Sequence, residues 1–256
     1  MRRREHLVAI IQKIIEKFFD TILLFVSILF LSVGIYAIVD NRIIINEADI
    51  PEDFKQSAMA DREYPDIREL QKTNRDLVAW LTLDDTKVDY PIAQTKDNSK
   101  YLTIDYAGNH SISGTPFVDY RNTFLNDDYT IIYGHRMNQQ KMFGSIVEYV
   151  DASYMQKHLR GTITTTEGTM ELEVIAYSVE DLSKTILYNL SSNKNNHNSS
   201  ILESISKTAL TINGKYSRDY LRSEKAGKWK LLLLSTCDKD SRHYRDVLLL
   251  RIGEEL

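Results

Sequence analysis

Three patterns of hydrophobic and polar positions follow one another along this chain. From Thr21 to Val39 the sequence TILLFVSILFLSVGIYAIV runs nineteen residues without a charge. As a helix rising about 1.5 Å per residue it spans roughly 28 Å, close to the ~30 Å hydrocarbon core of a bilayer. A signal peptide's apolar core is usually shorter and ends in small residues. Here the run continues to Asp40 without an A-x-A pattern, so an uncleaved transmembrane anchor over 21–39 is expected. Residues 40–64 read as a polar stalk with some helical character.

The second pattern is helical. PDIRELQKTNRDLVAWLTL (65–83) has apolar residues at helical spacing through Ile67, Leu70 and Leu77, then changes to β-like alternation after Trp80. The third pattern is a series of short apolar runs between turn signals: WLTL, KVDYPIA, TPFVDY, YTIIYG, GTITTT, MELEVIAYSV, KWKLLLLST and DVLLLRI. Eight such runs in one domain, 65–256, predict a closed or nearly closed β-barrel with peripheral helices. MFGSIVEYVDASYMQKH (142–158) reads as a helical insertion. NLSSNKNNHNSS (189–200) is an Asn/Ser-rich loop, followed by an amphipathic helix, ILESISKTAL.

Charge orients this arrangement. Arg2, Arg3, Arg4, Lys13 and Lys17 precede the span, while the segment after it is mostly acidic. The positive-inside rule then puts the N-terminus in the cytoplasm and residues 41–256 outside. Residues 1–40 hold five Lys/Arg against four Asp/Glu, so of the total charge of −4 the exported part carries −5. That balance gives no support for nucleic-acid binding. No His/Cys/Asp cluster has ligand spacing, so neither metal nor cofactor is expected.

The chain of 256 residues has one cysteine, Cys237, at the end of the run LLLLSTC. A lone thiol in an exported domain cannot form an internal disulfide. It is partnered with another chain, retained for reactivity, or buried as a small hydrophobe. A nucleophilic cysteine needs a proton donor or base beside it and a group to hold an oxyanion. Of six histidines, His6 precedes the span, His197 lies in the Asn/Ser-rich loop, His158 follows a helical segment and His110 sits in a polar turn. Spacing alone leaves His135, at a strand end in YTIIYGHRMN, and His243, near the cysteine.

YGHRMNQQKMFGSI, TPFVDYRN, DYPIAQTKDNSKYL and LSTC occur in this chain with an arginine just before the final strand. Together they resemble the class B sortases, membrane-anchored cysteine transpeptidases of Gram-positive bacteria, from about Ile67 to the C-terminus. The resemblance implies an eight-stranded sortase-type barrel with an N-terminal helix. It also implies Cys237 as nucleophile, His135 as general acid/base and Arg245, rather than Arg242, as the active-site arginine. Asn98, Leu102, Ser235 and Tyr133 match positions lining the sorting-signal groove, while DYRN (119–122) reads as structural. Residues 41–64 hold no Asp-Pro-aromatic lid and no second span follows the domain, which argues against a pilus-polymerising class C enzyme.

The expected reaction cleaves an NPxT-type sorting signal after Thr through a Cys thioester. The protein is then passed to an amine of peptidoglycan or lipid II. At pH 7.5 an ordinary thiol and an ordinary imidazole are each about 9% charged, so both are charged together in roughly 1% of molecules. A permanent cation nearby lowers a thiol pKa and reduces that loss. Two rivals use the same residues: a membrane-tethered binding module with an inert buried thiol, and a hydrolytic cysteine protease.

Overall fold

Each of the eight apolar runs contributes a strand to the computed structural model, which describes residues 2–59, 62–190, 197–237 and 243–256. In chain order these strands are β1 (Leu77–Leu83), β2 (Asp89–Ala93), β3 (Phe117–Val118), β4 (Tyr129–His135), β5 (Arg160–Thr164), β6 (Thr169–Asp181), β8 (Lys230–Cys237) and β9 (Tyr244–Glu255). A two-residue strand, β7 (Thr211–Ile212), has no counterpart among the predicted runs.

The order β5-β1-β2-β3-β4-β8-β9-β6 closes on itself because β6 also pairs with β5, and β7 is appended to β6 outside the ring. Eight strands therefore form a barrel, as the patterning predicts. It is mixed: β2–β3 and β4–β8 are parallel and the other pairings are antiparallel.

Burial explains why the strands near the C-terminus lack polar alternation. Leu232 and Leu234 of β8, with Leu248 and Leu250 of β9, join the cluster that draws on all eight barrel strands. Their neighbours Leu231, Leu233, Val247 and Leu249 face a second cluster on the outer side. A strand covered on both faces reads as an unbroken apolar run. The outer cover is the helix His197–Thr208, whose Ile201, Leu202 and Ile205 are buried there.

Two boundaries differ from the pattern. The helix over 67–73 (Ile67–Thr73) stops well before Trp80, and β1 already begins at Leu77. The cause is Asn74, whose amide donates to the Tyr101 hydroxyl and the Tyr106 carbonyl. Its carbonyl oxygen accepts the Asp76 N–H, so the chain turns there. The 142–158 insertion is a 3-10 segment, Phe143–Val150, then a short helix, Ala152–Lys157, whose N-cap Asp151 accepts from the Ser153 N–H.

Residues 1–46 and 47–256 form two compact units. The first is dominated by a helix running Arg2–Glu47, long and apolar enough to cross a membrane, with every residue of 21–39 exposed. The Thr21 and Ser27 hydroxyls donate to carbonyls four residues earlier, and Ser32 donates to that of Leu29. These bonds satisfy the three aliphatic hydroxyls within the helix itself, as an apolar surrounding favours. In the second unit, Glu52–Met59 is helical. Its Phe54 ring lies 4.3 Å from that of Tyr106, and its Ala58 is fully buried.

Candidate active site

β4 and β8 run parallel and finish together. Their last three pairs are Tyr133 with Ser235, Gly134 with Thr236, and His135 with Cys237. β9 returns antiparallel to β8, with Ser235 opposite Val247. Past that pair the two strands are tied by Thr236, which precedes Cys237, and Asp246, which follows Arg245. On its other side Arg245 pairs with Glu180 of β6. Residues from the middle and the end of the chain thus meet by register at one rim of the barrel.

His135 is half-buried, and its Nε2 lies 2.7 Å from the Leu102 carbonyl oxygen. A carbonyl only accepts, so Nε2 carries the hydrogen. Leu102 closes a 3-10 turn, Lys100–Leu102, fixed by the buried Tyr101. The Tyr101 hydroxyl accepts from Asn74 and donates to Asp76. Beneath His135, a Cβ added to Gly134 would meet the Phe143 ring at 2.6 Å. Only glycine lets that buried ring pack against the strand.

Tyr133 and Ser235 belong to a polar and aromatic wall on the outer side. The Tyr133 hydroxyl donates to Asp119 Oδ2 at 2.9 Å, and its ring is stacked with that of Tyr188, centroids 6.2 Å apart. Tyr188 in turn places its hydroxyl 2.8 Å from Ser235 Oγ. Arg121 holds Asp119 through Nε and Nη2 and also donates to the Tyr188 carbonyl. Burial alone would raise the Asp119 pKa, but Arg121, its N–H and the Tyr133 hydroxyl together hold the carboxyl below its ordinary range. Burial, then the Asp119 charge, pushes the Tyr133 phenol up. Asn98 joins this wall at its edge, where its Oδ1 accepts the Tyr120 N–H.

Tyr188, Asp119 and Arg121 are wall residues that sequence reasoning did not single out for the site. DYRN was the available signal for two of them. The other histidines lie elsewhere or serve other bonds. His243 is exposed, with its carbonyl accepting from Leu182, and the His158 ring stacks on Tyr154. Arg242, the rejected arginine, lies outside the described residues.

No family model matches the chain. Sortase B of Listeria monocytogenes is 33% identical to it over 190 residues, 73% of this chain and 72% of that relative. Among solved structures, a Staphylococcus aureus sortase B–substrate complex superposes with a TM-score of 0.67 at 25% identity, covering 78% of this chain and 91% of that one. A Streptococcus pyogenes class B sortase involved in pilus biogenesis gives 0.62 at 27% identity, over 73% and 97%.

Proposed function

Because this chain belongs to the sortase B family of transpeptidases, we propose that it cleaves an NPxT-type C-terminal sorting signal of surface proteins after Thr. The protein so released is joined to an amine of cell-wall peptidoglycan or its lipid II precursor. The observation that carries the reading is the direct pairing of His135 with Cys237 at the ends of β4 and β8.

In this reading the Cys237 thiolate attacks the carbonyl carbon following Thr. The tetrahedral intermediate collapses as the C–N bond breaks, and the His135 imidazolium gives its proton to the leaving amine. The thioester is opened by an incoming amine, which loses its proton to His135 while the thiolate departs. The Leu102 carbonyl engages Nε2, which holds the imidazole in a fixed orientation for proton transfer. Arg245 supplies a permanent cation and two parallel donors for the oxyanion. Asn98, Leu102, Tyr133 and Ser235 line the groove for the sorting signal. The buried Asp119–Tyr133 bond supports that role, because it fixes the ring that walls the groove.

The helix over 21–39 anchors the enzyme, with residues 1–20 cytoplasmic, 40–64 as a spacer and 65–256 catalytic on the outer face. The cations before the span support this orientation. A panel of sorting peptides assayed with and without a wall-peptide amine tests the whole reading. An NPxT peptide is expected to be cleaved, with the amine appearing in the product. Cleavage with no amine incorporated would leave a hydrolase instead.

A further inference from the structure

Each of the three proposed catalytic residues has a chain neighbour in one hydrogen-bonded group: Arg136 beside His135, Thr236 beside Cys237 and Asp246 beside Arg245. Arg136 and Thr236 are both bonded to Asp246. Arg136 Nη1 donates to Asp246 Oδ2 at 3.2 Å. The Asp246 N–H donates to Thr236 Oγ1 at 3.1 Å, and the Thr236 hydroxyl donates to the Asp246 carbonyl at 3.4 Å. A fourth strand joins from β6, where the Tyr177 hydroxyl donates to Asp246 Oδ1 at 2.5 Å. Asp246 is only 8% exposed and Thr236 is fully buried, so these bonds are poorly replaced by water.

We infer that Asp246 is a positioning residue: its carboxylate ties the end of β4 and the start of β9 to the body of β6, while its backbone ties β8. The backbone register of His135, Cys237 and Arg245 is thereby fixed. The inference rests on the catalytic reading above. Strand ends fray, and among the described residues the β8–β9 ladder ends at Ser235–Val247. The Thr236–Asp246 bonds take over at that point. Arg136 begins the turn after β4, so its ion pair acts on the residue directly following His135. A displacement of about 1 Å among reacting groups costs as much as 100-fold in rate, whereas fold stability is spread over the whole barrel.

The test compares Asp246→Asn, Arg136→Ala and Arg136→Lys in the full chain. Asp246→Asn keeps the side-chain shape and an acceptor for Tyr177 but removes the charge held by Arg136. It is expected to lower kcat on a sorting peptide at least tenfold with KM changed less than twofold. Alkylation of Cys237 at fixed pH should slow severalfold, and the melting temperature should stay within a few degrees. Arg136→Ala should follow it, and Arg136→Lys should restore at least half of the wild-type kcat. If Asp246→Asn unfolds, Tyr177→Phe, which removes one hydroxyl, should still lower kcat severalfold. Unchanged kcat and alkylation in folded Asp246→Asn would overturn the inference, as would a loss in kcat matched by the loss of folded protein. Retained cleavage by Cys237→Ala, measured alongside, would instead remove the catalytic reading itself.

Discussion

His135 and Cys237 are direct partners across the parallel pairing of β4 and β8, each the last residue of its strand. Parallel strands 100 residues apart in sequence thus bring an imidazole-bearing and a thiol-bearing residue to one rim. His243, nearer to Cys237 in the chain, is exposed at the approach to β9. His135→Ala is therefore expected to lower turnover of a sorting peptide by about 10²–10⁴-fold, the usual worth of a general acid/base. His243→Ala should stay within about twofold of wild type on that scale. Steady-state assay of both variants checks this, and the reverse ranking would move the acid/base role to His243.

Arg245 lies opposite Glu180 and directly precedes Asp246, which is bonded to Thr236 beside Cys237. Arg245→Ala should reduce kcat by about 10²–10³-fold, as removal of an oxyanion donor does. Arg245→Lys should restore little, because an ammonium cannot offer two parallel donors. Arg242→Ala should change little. Loss confined to the Arg242 variant would reverse the assignment.

Gly134 leaves room for the Phe143 ring immediately beneath His135, and that ring is fully buried. Gly134→Ala is expected to cost about 1–3 kcal/mol through overpacking. Its melting temperature should fall by several degrees. Calorimetry measures the shift, and a melting temperature equal to wild type would mean that Phe143 yields freely.

The Asp119 carboxyl is held below its ordinary pKa, despite burial, by Arg121, its N–H and Tyr133. A carboxyl with a depressed folded pKa contributes stability above its unfolded value of about 3.9 and loses that contribution as pH falls through the folded value. Asp119→Asn should therefore be less stable than wild type at pH 7, by about 2 kcal/mol for a buried polar site left poorly paired. The gap should narrow below about pH 4. Urea denaturation at pH 7 and pH 3.5 gives both numbers, and a gap that widens in acid would contradict the sign.

The sequence disclosed the eight barrel strands because burial patterns them directly, most plainly in β8 and β9, which are covered on both faces. It did not disclose β7, whose two residues carry no period. The early end of the helix over 67–73 depends on Asn74 reaching Tyr101 and Tyr106, contacts that exist only in the folded chain. Tyr188 was missed for the same reason, since its stacking on Tyr133 joins residues 55 apart. Choosing His135 over His243 required the family resemblance. Spacing along the chain carries no information about a parallel pairing that closes over a hundred residues.

The account turns on a covalent bond at Cys237. Incubating the enzyme with an NPxT-type peptide, quenching in acid and weighing the intact protein measures it directly. The predicted result is an added mass equal to the peptide fragment ending in Thr, mapped to Cys237, discharged by a wall-peptide amine and absent in Cys237→Ala. Peptide cleaved by Cys237→Ala at the wild-type rate, with no adduct on the native protein, would contradict it.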